Sequence, residues 1–292
     1  MYLSRLNSFL ATVAAVTATC LGLAAPQEAE AAEPGNIVTL GDSYTANPDQ
    51  VRNTIRDIDI QQVQDYVWDY PNQQGCLQAP NNWPRKLANQ IGAPLNDWSC
   101  TAQTSYTASE RVSAAINAGD IHPGTRSVII AVGMNDFGPF GIEKGNNPLD
   151  PGQVKANYLN NMKDIANKIR AVDPNIQIIL SGQPTIATPD APHKICLVNV
   201  IPNMPLGTVI GGTGVNMVEN YNHTQQTEAA NQIGAQFVDM MDNSAYHNTC
   251  APDHMRWIAG GIDTTTPNYQ MNLHPNDAGN QYMAEQIAPH VR

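Results

Sequence analysis

The sequence predicts a three-layer α/β domain, a parallel β-sheet with helices on both faces, and three observations lead there. Short β-branched apolar runs alternate with amphipathic stretches, several runs close on glycine or turn residues, and no internal repeat or long low-complexity tract interrupts the pattern. Strands separated by helices are joined by right-handed crossovers, which makes the sheet parallel and covers both of its faces.

Asn36 to Gly41 (NIVTLG) reads as the first strand, and Arg126 to Gly133 (RSVIIAVG) as a buried one closed by glycine. Ile176 to Leu180 (IQIIL) and Ala235 to Met241 (AQFVDMM) have the same character. Between Gln153 and Val172, Tyr158, Met162, Ile165 and Ile169 recur at helical spacing, and Asp150-Pro151 supplies an N-cap followed by proline in the first turn. Asn276 is placed to cap a last helix running towards His290. Two long stretches, Ala46 to Asn82 and Pro184 to Val215, read as irregular. Loops of that length are commonly functional covers or disulfide-held excursions.

The N-terminus has the layout of an export signal. Arg5 precedes an uncharged apolar run from Leu10 to Ala25, and Ala29-Glu30-Ala31 offers the small residues a signal peptidase reads. Residues 1–31 are therefore expected to be a cleaved signal peptide and 32–292 one mature, secreted domain without a stable membrane anchor, since the run is shorter than the roughly 20 residues a span needs. Cys20 lacks the apolar residue upstream that a lipoprotein site would have. The formal net charge is −11. Such an acidic surface repels nucleic acid and anionic membranes, which disfavours them as general partners. Four cysteines follow the signal, Cys76, Cys100, Cys196 and Cys250, an even number in a chain bound for an oxidising compartment. Three pairings are open; Cys76 with Cys100 and Cys196 with Cys250 are favoured because each closes a local loop. No Cys-x-x-Cys or neighbouring histidine spacing supports a zinc site.

Three motifs carry chemistry. Gly41-Asp42-Ser43-Tyr44 sets a serine hydroxyl at the carboxyl end of the first strand, where ligand sites form in parallel sheets. A serine attacks only when a base removes its proton. Gly133-Met134-Asn135-Asp136 follows the second strand, and the Asn135 amide can donate to a developing oxyanion. Asn272-Leu273-His274-Pro275-Asn276 precedes the last helix, and Pro275 keeps His274 extended. Among the remaining histidines, His254 beside Asp253 is the strongest rival for the base. Dinucleotide, nucleoside triphosphate, zincin and α/β-hydrolase signatures are all missing from the chain, so no cofactor and no metal is expected.

In this order and spacing the motifs resemble those of the GDSL (SGNH) hydrolases, named for a Ser, a Gly, an Asn and a His in four blocks. The resemblance runs from Gly41 to the last helix. It implies a flavodoxin-like fold and a serine carboxylic ester hydrolase acting through an acyl-enzyme on lipid, phospholipid or acylated-glycan esters. It makes Ser43 the nucleophile and first oxyanion donor, Asn135 a second donor and His274 the general base. Two departures stand out. The glycine block aligns best with Ser99-Cys100-Thr101-Ala102, so Ala102 takes the place of the glycine that donates its N–H. The aspartate expected three residues before the histidine is replaced by Met271. The acceptor for the His274 Nδ1–H is then expected to be a main-chain carbonyl such as that of Met271, with Asp263 folding in from the preceding loop as the alternative. An acyltransferase on cell-envelope acceptors, and a non-catalytic binding protein on the same fold, are the competing readings. A monomer is expected, with a small-molecule or lipid ester as the partner.

Overall fold

The protein is described by a computed structural model that covers residues 35–292. The expected signal peptide, 1–31, lies outside the described residues. In chain order the strands are β1 Ile37–Gly41, β2 Asn72–Gln73, β3 Cys76–Leu77, β4 Leu95–Asp97, β5 Ser127–Ala131, β6 Gln177–Ser181, β7 Ile195–Asn199, β8 Leu206–Thr208, β9 Gln236–Val238 and β10 Ile262–Asp263. The helices are α1 Ser43–Ala46, α2 Gln50–Ile55, α3 Gln61–Trp68, α4 Trp83–Ile91, α5 Ser105–Asn117, α6 Pro139–Glu143, α7 Pro151–Val172, α8 Val209–Ile233, α9 Met241–Ser244 and α10 Asp277–Ile287.

The main sheet has the order β4-β1-β5-β6-β9, with every neighbouring pair parallel. Numbered by appearance within this sheet, the order is 2-1-3-4-5, the flavodoxin-like arrangement. Side chains alternate between two cores, as the two-residue period of a strand requires. Val38, Leu40, Val128 and Ile130 face Val112 of α5, Met162 and Ile165 of α7 and Ala229 of α8. Ile37, Ile129, Ile179 and Val238 face the other way, onto Trp83 and Leu87 of α4 and Met283 and Ile287 of α10. The expected capping residues do their work: Asp150 accepts from the Gln153 N–H at 3.0 Å and Asn276 from the Gly279 N–H at 2.9 Å. Among the described residues no helix is long and apolar enough to cross a membrane.

The four expected strands all lie in the main sheet, and the fifth, β4, was not expected. It is a three-residue edge strand whose Leu95 and Asn96 are only half-buried, too short to show a period. The two stretches expected to be irregular are not. Ala46 to Asn82 folds into α2, α3 and the β2–β3 ribbon, where only Val67 of the two helices is buried. Helices that bury almost nothing leave no apolar stripe in the sequence. Pro184 to Val215 holds β7, β8 and the start of α8, and β10–β7–β8 form a second, small sheet. Both favoured disulfides are present, Cys76–Cys100 and Cys196–Cys250. The first ties the ribbon to the loop after β4; the second ties β7 to the segment before β10.

The strand order reverses between β1 and β5, where the first connection leads outward to β4 and later ones lead the opposite way. A crevice opens at such a point because adjacent loops diverge to opposite faces. Ser43 and Asn135 follow the carboxyl ends of these two strands.

Candidate active site

Ser43 owes its position to the residues on either side. A Cβ on Gly41 would lie 2.0 Å from the Thr45 hydroxyl, so only glycine lets the chain turn this tightly from β1 into α1. Asp42 caps α1 by accepting from the Tyr44 N–H at 2.9 Å. Burial, opposed by that N–H and reinforced by the nearby Asp136, pushes the Asp42 carboxyl up to about 7. The Ser43 side chain is left half-buried at the crevice, 2.7 Å from Nε2 of His274.

His274 is delivered by the loop before α10, and that loop is pinned on several sides. Its carbonyl accepts from the Ala259 N–H at 3.0 Å, and Asn47 donates to the Pro275 carbonyl at 2.9 Å. The Tyr44 hydroxyl donates to the Leu273 carbonyl at 2.7 Å, and the Tyr44 ring packs 4.8 Å from the imidazole, centroid to centroid. Nδ1 of His274 lies 2.7 Å from the Asn272 carbonyl. A carbonyl can only accept, so Nδ1 carries the proton and Nε2 presents its lone pair to Ser43. Burial among these groups, partly offset by the Asn272 bond, lowers the imidazole from its ordinary 6.5 to about 4.

The group that orients the histidine therefore corrects the expectation in detail. It is a main-chain carbonyl, but that of Asn272 rather than Met271. Leu273 adopts φ 61°, and this left-handed residue turns the chain so that the carbonyl two residues before His274 faces its ring. Asp263 is not the acceptor either. Its carboxylate takes bonds from the N–H groups of Gly260, Thr265 and Thr266, the Thr266 hydroxyl and the Asn199 amide. Burial would raise Asp263, and these donors hold it down at about 2. It also lies 3.9 Å from the fully buried Arg256, whose closer partner is Asp253 at 2.8 Å. The rival histidine pair thus dissolves: Asp253 serves Arg256, not His254.

The opposite wall holds the candidate oxyanion donors. Cys100 to Gln103 forms a turn closed by the Gln103 N–H on the Cys100 carbonyl, and its third residue, Ala102, has φ 66°. That is a glycine conformation occupied by a residue with a Cβ. Asn135 sits in a short 3-10 turn after Gly133, and its amide donates to the Gln103 carbonyl at 3.0 Å. This bond joins the two donor loops. Asp136 anchors the turn from beneath, accepting from both the N–H and the hydroxyl of Ser105 at the start of α5. Burial raises Asp136 to about 6 against the pull of those two donors. Tyr44, Asn47 and Gln50 were not singled out in the sequence, since nothing in their spacing marks contacts to a loop more than two hundred residues away, and neither was Ser105, whose partner Asp136 lies 31 residues on. Gln50 is the clearest case: its side-chain carbonyl accepts from the Asn272 N–H at 3.3 Å, bracing the residue whose carbonyl faces His274.

A sequence model of the GDSL-like lipase/acylhydrolase family matches residues 39–282, a span that includes Ser43, Ala102, Asn135 and His274. The chain belongs to that family. As a GDSL-type serine esterase or lipase it is a carboxylic ester hydrolase. Lipase 2 of Streptomyces coelicolor is 27% identical over 304 aligned positions, covering 94% of this chain and 93% of that protein. The fold is similar to that of an extracellular lipase from Streptomyces rimosus, with TM-score 0.57 and 16% identity over 88% of this chain and 100% of the other. It is also similar to phospholipase A1 from Streptomyces albidoflavus, with TM-score 0.55 and 17% identity over 88% and 98% of the two chains.

Three outcomes follow from this geometry. With neutral His274 as the expected base, kcat/KM for a short-chain ester should stay level as pH falls and decline only as the ring protonates near 4; an acid limb close to 7 would mean that negative charge supports the ring after all. Asp263→Asn should cost up to about 3–5 kcal/mol of stability by leaving Arg256 undercompensated, while kcat of the folded variant changes by less than about threefold, against the roughly 10⁴-fold loss known for a lost orienting acid. Ala102→Gly should raise stability in urea by roughly 0.5–1 kcal/mol, the left-handed penalty of about 1–2 kcal/mol less the added chain entropy of glycine.

Proposed function

We propose that this family member hydrolyses carboxylic esters through a Ser43–His274 dyad and a covalent acyl-enzyme. The observation that carries the proposal is the 2.7 Å contact between His274 Nε2 and the Ser43 hydroxyl, with Nδ1 committed to a carbonyl. Nε2 takes the hydroxyl proton as Oγ bonds to the ester carbonyl carbon, and the carbonyl oxygen becomes an oxyanion. The backbone N–H groups of Ser43 and Ala102 and the Asn135 amide are its assigned donors, matched to charge that exists only in the transition state. Collapse breaks the bond to the alkoxy oxygen, which leaves with the proton from His274. A water then repeats the sequence: His274 removes its proton, its oxygen attacks the acyl carbon, and Ser43 departs with the proton returned.

A carbonyl partner has a definite consequence. It fixes the tautomer and the ring plane, as an aspartate would, but brings no negative charge to stabilise the imidazolium. The ring accordingly stays a weak base, in line with its lowered value of about 4. The same contact argues against a non-catalytic binding protein, because a serine that serves only as a turn residue has no need of a neutral imidazole. We further propose that residues 1–31 direct export, so that 32–292 act outside the cytoplasm, in keeping with the extracellular lipase the fold is similar to.

Hydrolysis of p-nitrophenyl esters of short and medium chain length tests the mechanism. Ser43→Ala and His274→Ala should each lower kcat by roughly 10⁴-fold or more while folding is retained, and Asn135→Ala by about 10²–10³-fold. Retained turnover in Ser43→Ala, or failure of a fluorophosphonate to label Ser43 in the wild type, would remove the proposal. Transfer of the acyl group to an added alcohol in preference to water would redirect it to the transferase reading.

A further inference from the structure

We propose that the outer face of the β10–β7–β8 sheet, with the tip of its hairpin and the first turn of α8, is a surface by which the enzyme settles on an uncharged lipid–water interface. The inference rests on the ester-hydrolase reading only for why a lipid surface would be its occupant. The geometry is that of an apolar row. Ile262 pairs with Val198, and Val198 with Leu206, so three apolar residues stand in register across the three strands. Directly paired residues share a face. Ile262 and Leu206 are 64% and 55% exposed, whereas Asn199 and Asp263, the neighbouring pair in register, point inward and are buried. The row therefore faces outward.

The hairpin tip and the next helix extend it. Ile201 and Met204 at the tip and Ile210 in the first turn of α8 are exposed, Ile210 by 88%. From Ile195 to Val218 the chain carries no Asp, Glu, Lys, Arg or His, although the protein as a whole has a net charge of −11. One carboxylate touches the tip: Asp253 accepts from the Asn203 N–H at 3.0 Å, and its charge is paired with Arg256. A surface this apolar, bordered by Lys194 where Gly212 packs against it and by the paired Asp253 at the tip, is suited to an uncharged interface, because anionic lipid would repel the rest of so acidic a protein. Two copies of the chain repel each other in the same way, which disfavours self-association through this face.

The sheet is also tied to the catalytic loop. Leu273 donates its N–H to the Gly260 carbonyl and Ala259 donates to the His274 carbonyl, so the segment 259–261 runs beside the histidine. On its other side the same segment packs against β7, where a Cβ on Gly260 would meet the Asn199 amide at 2.7 Å and one on Gly261 the Leu197 carbonyl at 3.3 Å. Long-chain esters are concentrated in lipid aggregates rather than in water. A face one segment away from His274 that rests on such an aggregate would bring the crevice to its substrate.

The test separates binding from turnover. Ser43→Ala protein and the same protein carrying Met204→Asp and Ile210→Asp are sedimented with vesicles of phosphatidylcholine alone and of phosphatidylcholine with phosphatidylglycerol. The first should bind phosphatidylcholine vesicles, the aspartate pair should weaken that binding by about tenfold or more, and phosphatidylglycerol should weaken it further. In the Ser43 background restored, the aspartate pair should leave hydrolysis of dissolved p-nitrophenyl butyrate unchanged within about twofold, since neither residue belongs to the site, and reduce hydrolysis of a vesicle-borne ester in parallel with binding. No binding to either vesicle, or equal binding by the aspartate variant, overturns the proposal. A concentration-dependent dimer that the aspartate pair dissociates would assign the face to a second copy instead. Loss of dissolved-ester hydrolysis in the wild type with vesicle binding intact would count against the ester-hydrolase reading and leave the surface standing.

Discussion

One hydrogen bond joins the two ends of the domain, from Ser43 after the first strand to His274 before the last helix, 231 residues apart. Neither side chain has any chemistry without the other, because an unassisted serine hydroxyl is a poor nucleophile and an isolated neutral imidazole has nothing to act on. The surrounding contacts serve that distance. Tyr44 on the helix that starts at Ser43, and Asn47 at its C-cap, reach across to the carbonyls of Leu273 and Pro275. The loop that carries His274 is therefore fastened to the segment that carries Ser43.

The missing aspartate changes how the base is held without removing the hold. A carboxylate supplies direction and charge; the Asn272 carbonyl supplies direction only. Direction depends on the left-handed Leu273, which turns the Asn272 carbonyl towards the ring, on Gly260, whose carbonyl accepts from the N–H of that same peptide, and on Gln50, which holds the preceding Asn272 N–H. The buried carboxylates near the site do other work. Asp42 caps α1, and Asp136 binds the N–H and hydroxyl of Ser105, the first residue of α5 after its Thr104 cap, so each uses its oxygen atoms to fix backbone beside a candidate functional group. Asp263 does the same for the small sheet, gathering Gly260, Thr265, Thr266 and Asn199 around itself.

That small sheet is a second building block laid beside the main one. It stems from the stretch Pro184 to Val215, whose prolines, glycines and asparagines conceal β7 and β8. Its inward face is polar and hydrogen-bonded at Asn199 and Asp263 and apolar at Ile195, which clusters with Tyr44, Ile186 and Ile258, while the outward row Ile262, Val198 and Leu206 is apolar. The polar inward face is affordable because Asp263 and Arg256 find full sets of partners there. The disulfide between Cys196 and Cys250 anchors β7 to the segment that also carries Arg256.

Much of this protein was legible in the chain alone. Strands β1, β5, β6 and β9, helices α7 and α10 with their caps and the parallel sheet follow from local rules of period and capping chemistry; the two disulfides are the pairing favoured for its local loops, and motifs at strand ends and before the last helix marked Ser43, Asn135 and His274 as candidates. What only the tertiary structure decided depends on contacts between distant residues or on backbone angles. The acceptor for His274 is set by the φ of Leu273, which a leucine does not advertise. The fate of Asp263 is set by five donors brought in from β7 and its own loop, and the fit of Ala102 by a left-handed turn that glycine would ordinarily mark. The short helices α2 and α3 and the outward apolar row leave no periodic trace in the sequence for a related reason. A periodic pattern in sequence records which side of an element meets the core, and these elements meet the core with almost nothing or with their polar side.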